Sequence, residues 1–344
     1  MPKFIDQNKP PDNRQNLSGG GRIGRIQFGH SFEEIISVEN LLLAWREFLR
    51  GKRNKPDAQE FSMHLMDNIL ALHDDLKERK YKHGGYQAFN ISDPKPRNIH
   101  KATVRDRLLH HAIYRKLYPF FDRTFISDSY SCRIGKGTHK ALNRFREFGL
   151  KVGENNTKTC WVLKCDIRKF FANIDHEILT AILKKYIPDE NIFWLLEEII
   201  ESFSPGLPLG NLTSQIFVNI YMNEFDQFAK HKLKVKYYIR YADDFVIFSK
   251  DRHWLVNLIP KIRAFLAYKL RLGLHPDKLF IKTLASGVDF LGCVNFPDHR
   301  VLRTATKRRM IKRMKGIQKS GTKQSYLGLL RHGNTFKIKK EIIQ

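Results

Sequence analysis

Cysteine is scarce in this chain, and no long apolar run is present. Four cysteines occur among 344 residues, and none of them forms the CxxC pair that is typical of zinc sites. We therefore expect no zinc centre and four reduced, mostly buried thiols. No stretch of about 18 apolar residues is available to cross a membrane, and the N-terminus lacks the apolar segment of a secretion signal. These absences predict a cytoplasmic protein with no membrane partner.

Acidic residues are also under-represented relative to basic ones. Lysine and arginine total 61 against 35 aspartates and glutamates, which gives a net charge of +26 and a pI near 9.9. Such a charge favours a polyanionic partner, with nucleic acid first and an anionic membrane surface second. The hydrophobic fraction of 42% is large enough for a substantial core, so a wholly disordered chain is excluded.

The order of sequence patterns predicts an α+β protein with an antiparallel sheet. Residues 1–30 are polar and basic and indicate a flexible tail. Helical spacing runs from Phe32 to about Glu78, and residues 80–101 have the alternation and glycines of a β-hairpin. From Trp161 onward the patterns indicate a strand, then helices, a hairpin, a helix and a further strand.

Three aspartates stand in apolar surroundings. Asp166 ends the strand-like run VLKCD, and Asp243 and Asp244 lie at the turn between two apolar runs. Burying a carboxylate beside valine, isoleucine and phenylalanine is costly unless a cation compensates it. Carboxylate oxygens suit Mg²⁺, and two such ions about 4 Å apart support in-line phosphoryl transfer. An Asp-Asp turn alone is weak evidence, because aspartate is common in turns.

The aspartates belong to an ordered set of motifs. Tyr241–Asp244 has the pattern YxDD, and Phe171 follows Asp166 by five residues. The other motifs are a glycine-rich loop, a lysine turn, an FLG run and two basic upstream stretches. These are Gly206–Gly210, Lys278 in LGLHPDK, Phe290–Gly292, PKPRNIH and VRDRLLHHAI. Together they resemble the motifs of reverse transcriptases, and the resemblance covers about residues 35–335.

The resemblance implies a right-hand polymerase that makes DNA on an RNA template. Its fingers would span residues 31–155, its palm 156–297, with an antiparallel sheet packed on helices, and its small basic helical thumb 298–344. Two Mg²⁺ ions, with Mn²⁺ as an alternative, are expected in the palm. Their predicted ligands are Asp166, Ile167, Asp243 and Asp244.

The resemblance also assigns roles around the substrate. Phe171 would lie under the incoming sugar and exclude a 2′-hydroxyl, although one of Phe170 and Phe171 must be core. Arg97 and Lys95 would neutralise the triphosphate, and Lys278 would protonate the leaving pyrophosphate. The alternative interpretation of Arg97 and Lys278 is that both are ordinary surface charges. The resemblance places three further groups of residues at the substrates. The nucleotide loop would contact the dNTP through Leu209, Gly210 and Gln215, and the primer grip would consist of Phe290, Leu291 and Gly292. The basic C-terminal helix would contact nucleic acid through Lys307, Arg308, Lys312 and Arg313.

Details of the sequence resemble one subgroup, the diversity-generating retroelement enzymes. The stretch Gly210–Gln215 has their GxxxSQ form, and the segments around Ser325–Gly328 and His332–Asn334 are also similar. That subgroup copies a structured template RNA into adenine-mutated cDNA, works with a small basic oligomeric accessory protein, and replaces part of a target gene. Bacterial or phage-encoded proteins of this kind use dNTPs and hold an RNA/cDNA duplex.

Leu209 bears on copying accuracy. Many reverse transcriptases have glutamine at this position, whose amide can hydrogen-bond the incoming nucleotide, whereas leucine cannot. Loose copying is one interpretation, and simple packing of the loop is the other. The remaining alternatives are a defence-associated or group II intron-like reverse transcriptase and a non-catalytic RNA-binding protein with a polymerase fold. Intron enzymes are disfavoured because their additional domains require a longer chain.

Overall fold

The computed structural model describes residues 26–91, 96–314 and 330. The first part is helical, as the apolar spacing predicts. Ser31 and Ser37 start two successive helices by accepting backbone N–H groups in the first turn. The four helices pack their apolar sides into one core. Their bounds are α1 Phe32–Ile36, α2 Val38–Phe48, α3 Pro56–Met63 and α4 Leu65–Lys77.

A hairpin and two longer helices follow. Strands β1 (Tyr86–Ile91) and β2 (Arg97–Ala102) pair antiparallel, which confirms the predicted hairpin. Helix α5 (Val104–Asp122) is capped by Thr103, whose hydroxyl accepts the backbone N–H of Asp106, and it packs against α2 and against the later helix Leu212–Gln227. Helix α6 (Thr138–Val152) instead packs under the central sheet.

The central sheet has four antiparallel strands in the order β4-β5-β3-β6. Strands β4 and β5 form a tight hairpin, and β3 lies between β5 and β6. This arrangement places the end of β3 beside the hairpin turn. The strands are β3 Trp161–Asp166, β4 Tyr238–Tyr241, β5 Asp244–Ser249 and β6 Phe280–Thr283.

The two faces of this sheet belong to two different cores, because side chains alternate along each strand. One face packs against helices in the larger core, and its residues include Leu163, Cys165, Phe245 and Ile247. The other face packs on α6 and the C-terminal strands, and its residues include Val162, Val246 and Phe248. The helices around the sheet are α7 His176–Lys184, α8 Glu190–Glu201, α9 Leu212–Gln227 and α10 Arg252–Leu270.

The C-terminal part corrects one prediction. The run VDFLGCVNF was expected to form one strand, but it forms a hairpin of β7 (Val288–Phe290) and β8 (Cys293–Asn295). Leu291 and Gly292 make its turn with φ values of 52° and 82°. Strand β9 (Arg300–Leu302) completes this second sheet, and α11 (Thr304–Met314) follows.

The predicted α+β class with an antiparallel sheet on helices is confirmed. All four cysteines are free, and three of them are buried, as expected. No helix within the described residues is long and apolar enough to span a bilayer. The predicted tail falls mostly outside the described residues, as does much of the thumb, and so do the segments at Ser325–Gly328 and His332–Asn334.

Candidate active site

The three aspartates lie at one edge of the central sheet. Asp166, the last residue of β3, is directly opposite Asp244, the first residue of β5. Tyr241 pairs with Asp244, so Ala242 and Asp243 alone form the hairpin turn, and Ala242 accepts a left-handed φ of 55°. The backbone N–H of Ile167 donates to the Asp243 carbonyl at 3.1 Å, which fixes the turn against the end of β3.

Two lysines contact these carboxylates from different directions. Lys278 lies in a single 3-10 turn, and its Nζ donates to Oδ1 of Asp166 at 2.8 Å. Lys164, two residues before Asp166 on the same strand face, lies 3.2 Å from Oδ1 of Asp244. That oxygen is buried and has no well-aligned hydrogen bond. Asp166 and Asp244 are therefore paired with different cations.

The carboxylates are electrostatically strained. Burial raises the pKa of Asp243, and the neighbouring charge of Asp166 raises it further, while Lys278 and Arg97 act in the opposite direction. Burial also raises the pKa of Asp244 to about 7, although Lys164 opposes this shift. The protein thus buries these carboxyl groups without fully compensating their charge, an arrangement that is common at functional sites.

The metal prediction is only partly supported by this geometry. Within the described part of the chain, no three His, Cys, Asp or Glu side chains form a group that holds a metal ion. Asp244 lies beside Lys164, and a metal-ligand role for Ile167 and for all three aspartates stays a prediction. Magnesium, however, usually takes one or two carboxylates together with substrate phosphates rather than an all-protein cage. Asp166 and Asp243, with their mutual repulsion, fit that requirement.

A buried ion pair supports the hairpin from behind. Arg240 on β4 and Asp226 on α9 are both fully buried, and the guanidinium donates to both carboxylate oxygens at 2.7–3.0 Å. Tyr238 also donates to Asp226. A further N–H of Arg240 donates to the Ala242 carbonyl at 3.2 Å, inside the turn itself. This network positions the backbone from which Asp243 projects.

The predicted nucleotide loop, residues 206–210, is held between two parts of the molecule. The Leu207 N–H donates to the Phe171 carbonyl at 2.8 Å, and the Leu209 carbonyl accepts from the His100 N–H on β2 at 3.0 Å. Gly206 has a φ of 72°, and any Cβ there would collide with the Phe171 carbonyl. The loop therefore follows the backbone beyond Asp166 on one side and β2 on the other.

Phe170 and Phe171 differ in burial, which decides which of them is the core residue. Phe170 is buried in the larger core, whereas Phe171 is partly exposed. Both residues lie beyond the end of β3, and Phe171 begins a single 3-10 turn, Phe171–Asn173. Phe171 is consequently the one available to a ligand.

Of the residues predicted to bind the dNTP, Arg97 lies near the aspartates. Arg97 begins β2, is exposed, and is close enough for its charge to act on Asp243. Lys95 lies outside the described residues. Gln215 lines a cavity together with Gly210, Lys52 and Arg107.

The predicted primer grip is partly core. Phe290 is fully buried and stacks on Phe145 with ring centroids 5.5 Å apart, so its side chain is unavailable to a primer. Leu291 and Gly292 form the turn that remains accessible. On α11, Met310 is buried while Arg308 and Lys312 are exposed, and Lys307 and Arg313 are half-buried. The basic face of this helix therefore points away from the core.

Sequence reasoning missed Lys164 and Arg240. Each is a charged residue in an otherwise apolar strand, in VLKCD and YYIRY, and that contrast was the available signal. The partner of Arg240, Asp226, was not identifiable, because only the packing of α9 on the sheet brings the two together.

Comparison with known proteins decides the family. The profile of the family described as "Reverse transcriptase (RNA-dependent DNA polymerase)" matches residues 82–294, more than half of the chain. This chain belongs to the reverse transcriptase family. The matched range contains the hairpin, the nucleotide loop and all three aspartates of this reverse transcriptase domain.

Relatives of this reverse transcriptase chain occur in bacteria and in group II introns. Protein YkfC of Escherichia coli is 26% identical over 258 residues, covering 63% of this chain and 66% of its own length. The group II intron-encoded protein LtrA of Lactococcus lactis is 24% identical over 283 residues, covering 60% of this chain and 45% of its own. The chain thus spans between about half and two thirds of these relatives.

Two solved telomerase structures also align with this reverse transcriptase chain. Telomerase from Candida albicans, in complex with a telomeric RNA fragment, gives a TM-score of 0.48 at 11% identity over 70% of this chain and 51% of its own. Apo telomerase from Candida tropicalis gives 0.49 at 14% identity over 70% and 60%. At these values the family assignment rests on the sequence profile.

Proposed function

We propose that the protein is an RNA-directed DNA polymerase whose centre is the edge of the central sheet. The observation that carries this proposal is the placement of Asp166 and Asp243 side by side, with negative charge that nearby cations compensate only in part. Arg97 and Lys278 act on the same carboxyl, which supplies positive charge for a triphosphate. A protein that only bound RNA would gain nothing from buried carboxylates next to phosphates.

Magnesium is the proposed cofactor, as two ions, with Mn²⁺ as an alternative. Asp166 and Asp243 would hold the ions, with Ile167 adjacent through its backbone, and Asp244 is proposed as a supporting carboxylate. When bound, the ions supply activation of the primer 3′-hydroxyl and charge neutralisation at the triphosphate.

The chain's own residues position the substrates. Arg97, with Lys95, is proposed to bind the triphosphate, since a guanidinium matches phosphate oxygens in a fixed geometry. Lys278 is proposed to give a proton to the leaving pyrophosphate, which requires its ammonium to leave Asp166. Phe171 is proposed to lie under the sugar, where its ring disfavours a 2′-hydroxyl.

Nucleic acid would be held by the regions around this centre. We propose fingers to residue 155, palm from 156 to 297 and thumb from 298 to 344, although α6 packs on the palm strands. The hairpin turn at Leu291 and Gly292 is proposed to contact the primer. Lys307, Arg308, Lys312 and Arg313 on α11 are proposed to contact the phosphates of the RNA/cDNA duplex.

Primer extension tests this function. Purified protein with an RNA template, DNA primer, dNTPs and Mg²⁺ should give cDNA, and Asp243→Asn should reduce the rate at least about a thousandfold. Asp67→Asn, at an aspartate that is 84% exposed, is the matched control and should extend normally. Equal extension by Asp243→Asn would reject this centre, and no cDNA under any condition would favour an RNA-binding protein.

Within the family, we propose the mutagenic retroelement subgroup. The support is the GxxxSQ form after Gly210 and the leucine at 209, whose side chain offers no hydrogen bond to a nucleotide. A structured template RNA and a small basic oligomeric accessory protein would then be partners. Leu209→Gln should lower the error rate opposite template adenines about three- to tenfold, measured by sequencing cDNA, because one lost hydrogen bond is worth about 1 kcal/mol.

A group II intron-like reverse transcriptase is the second candidate. The alignment with LtrA of Lactococcus lactis supports it. Accurate cDNA from the wild-type protein, with no adenine bias and no effect of Leu209→Gln, would favour this candidate over the mutagenic one. Errors concentrated at adenines would reject it.

A further inference from the structure

Helices α3 and α4 carry a stripe of large apolar side chains on their solvent side. Met63, at the end of α3, is 72% exposed, and Met66 and Leu70 on α4 are 47% and 44% exposed. Met66 and Leu70 are four residues apart, and Met63 precedes Met66 by three, which are the spacings of neighbours on one helical face. Of the nine large apolar side chains that are exposed in the described part of the chain, three are therefore collected here.

The fold itself does not require these side chains to be apolar. The opposite side of α4 already supplies the core, where Ile69, Leu72 and Leu76 are fully buried. An amphipathic helix of this kind normally turns polar residues to solvent. Single exposed apolar residues are ordinary, but a grouped set is typical of a surface that contacts another molecule. Methionine suits such a surface, because its flexible thioether adapts to the partner.

The same two helices are acidic in a strongly basic protein. Residues 56–78 contain six acidic residues and one lysine, whereas the whole chain has a net charge of +26. Asp57, Asp75 and Glu78 form ion pairs with cations of the chain. These three carboxylates are therefore already compensated.

Two further carboxylates stand at the ends of the apolar stripe. Glu60 precedes Met63 by three residues, and Asp74 follows Leu70 by four, so both share its helical face. Both are exposed, and neither forms an ion pair within the residues that the structure describes. The stripe is therefore flanked by carboxylates that are open to the cations of another molecule.

The charges decide which molecule fits this face. Nucleic acid and an anionic membrane would bring phosphates against Glu60 and Asp74, which repel them. A second copy of this chain would bring the two sets of carboxylates together, because a two-fold contact is self-complementary. A basic amphipathic helix meets both requirements, since its apolar side covers the stripe while its lysines or arginines pair with the carboxylates.

Helix α8 separates the two features. It is acidic as well, with Glu190, Glu197, Glu198 and Glu201. The structure describes all of α8, however, and none of its large apolar side chains is exposed. Its charges face solvent in the ordinary way, whereas α3 and α4 combine exposed carboxylates with an exposed apolar stripe.

We propose that the solvent face of α3 and α4 docks a basic amphipathic helix of a separate protein. Met63, Met66 and Leu70 form the apolar contact, and Glu60 and Asp74 pair with its cations. This inference goes beyond the proposed function, because no residue of this face belongs to the aspartate centre or to the proposed contacts with nucleic acid.

Peptide binding to the full chain tests the proposal. The probe is a fluorescein-labelled peptide of about 18 residues, or five helical turns, with leucines at helical spacing and lysines elsewhere. Because the whole chain is positive, such a peptide has no general attraction to it. The protein is first freed of nucleic acid, which would itself bind the lysines. By fluorescence anisotropy, the wild type should bind this probe at least about tenfold more tightly than a peptide of equal composition with scattered leucines.

An apolar substitution tests the stripe. Leu70→Gln should weaken binding of the amphipathic peptide about five- to tenfold, since it removes part of the apolar contact. Val256→Gln is the matched control, because Val256 is an exposed apolar residue of another helix, α10, and it should bind as the wild type does. If Leu70→Gln fails to fold, Met66→Gln replaces it.

A charge substitution tests the flanks. Glu60→Gln/Asp74→Asn should weaken binding about five- to tenfold at low salt and flatten its salt dependence. Glu190→Gln/Glu201→Gln on α8 removes the same charge and should leave Kd unchanged. An unchanged Kd in both Leu70→Gln and Glu60→Gln/Asp74→Asn would overturn the proposal, and weakening by the apolar variant alone would reject a basic partner.

Two further measurements separate the other occupants. Analytical ultracentrifugation should give the same mass for the wild type and Leu70→Gln; a wild-type dimer that this variant converts to a monomer would show that a second copy covers the face. Kd for an RNA template with its DNA primer should be equal in the two proteins, and weaker binding by Leu70→Gln would assign the face to nucleic acid. Either contrary result would overturn the proposal. None of these measurements depends on cDNA synthesis, so failure of the polymerase proposal is distinguishable from failure of this one.

Discussion

Strand β4 and its hairpin turn carry two acidic environments that differ sharply. Behind the strand, Asp226 is fully buried and receives hydrogen bonds from Arg240 and Tyr238, so its charge is satisfied by the protein. In the turn, Asp243 lies against another carboxylate, and its pKa is raised by burial and by Asp166. The first arrangement supports the fold, whereas the second leaves negative charge for something that the chain does not supply.

The same hairpin contains an ion pair that orders its backbone and a turn whose carboxylate is left without a full counter-charge. The Arg240 guanidinium connects the two environments, because it bonds Asp226 with one edge and the Ala242 carbonyl with another N–H. The Arg240–Asp226 ion pair thus orders the backbone of the turn, and this backbone positions the Asp243 carboxylate. Variants at Arg240, Asp226 and Asp243 separate these two contributions.

Breaking the satisfied pair should have the largest effect. Arg240→Leu leaves the Asp226 carboxylate buried without its cation, so we expect a loss of about 3–5 kcal/mol in the free energy of unfolding. Urea denaturation of the purified protein measures it. The double variant Arg240→Leu/Asp226→Leu should recover much of the loss, since no charge remains buried.

A surface arginine provides the control. Arg271 pairs with Asp175 but is 57% exposed, so Arg271→Leu should cost less than about 1 kcal/mol. If Arg240→Leu were equally mild, the buried pair would not be what holds the hairpin.

His110 is a third buried ionisable group, and the fold holds it in its neutral form. Its contribution to stability therefore depends on pH. Burial, followed by the nearby His83, lowers the pKa of His110 to about 3. The unfolded chain takes up this proton near pH 6.5 and the folded chain does not, so stability is lost as pH falls below about 6.5. His110→Gln should reduce the loss of unfolding free energy between pH 8 and 5 by about 2 kcal/mol.

Thermal unfolding at several pH values, combined with urea denaturation, measures this effect. His64→Gln, at a histidine whose side chain is 73% exposed, is the matched control and should keep the wild-type pH dependence. An unchanged slope in His110→Gln would mean that His110 is protonated in the folded protein.

Relieving the strained carboxylates should have the smallest effect on stability. Without divalent cations, Asp243→Asn should raise the Tm by about 1–3 °C at pH 8, because it removes a charge that the fold does not compensate. A carboxyl with a raised pKa destabilises the folded state only where it is ionised, so the difference should vanish as pH falls towards 4. A lower Tm in Asp243→Asn at pH 8 would show that the turn is compensated after all.

Local patterns gave much of the fold and part of the site. The position of Asp166 at the end of a strand and of Asp243 in a tight turn could be predicted, because alternation and turn propensity act over a few residues. The hairpin at Leu291 and Gly292 was missed, because leucine rarely adopts a positive φ and the run looks like a continuous strand.

Contacts between distant segments could not be predicted in the same way. Lys278 and Asp166, which form a hydrogen bond, are 112 residues apart in the chain. Lys164 reaches Asp244 only because β3 and β5 pair in the sheet. Asn211 is the N-cap residue of α9 but its side chain makes no capping bond, and it lines a cavity with Lys52; only the structure shows either fact.

A Mg²⁺ titration of Tm measures whether the carboxylates at the turn bind a cation. The wild type and Asp67→Asn should be stabilised by several degrees, since saturation to about 100 times Kd adds about 2.7 kcal/mol. Asp243→Asn, which starts higher, should show little further increase. An equal Mg²⁺-dependent shift in Asp243→Asn and the wild type would show that Asp243 does not bind the cation.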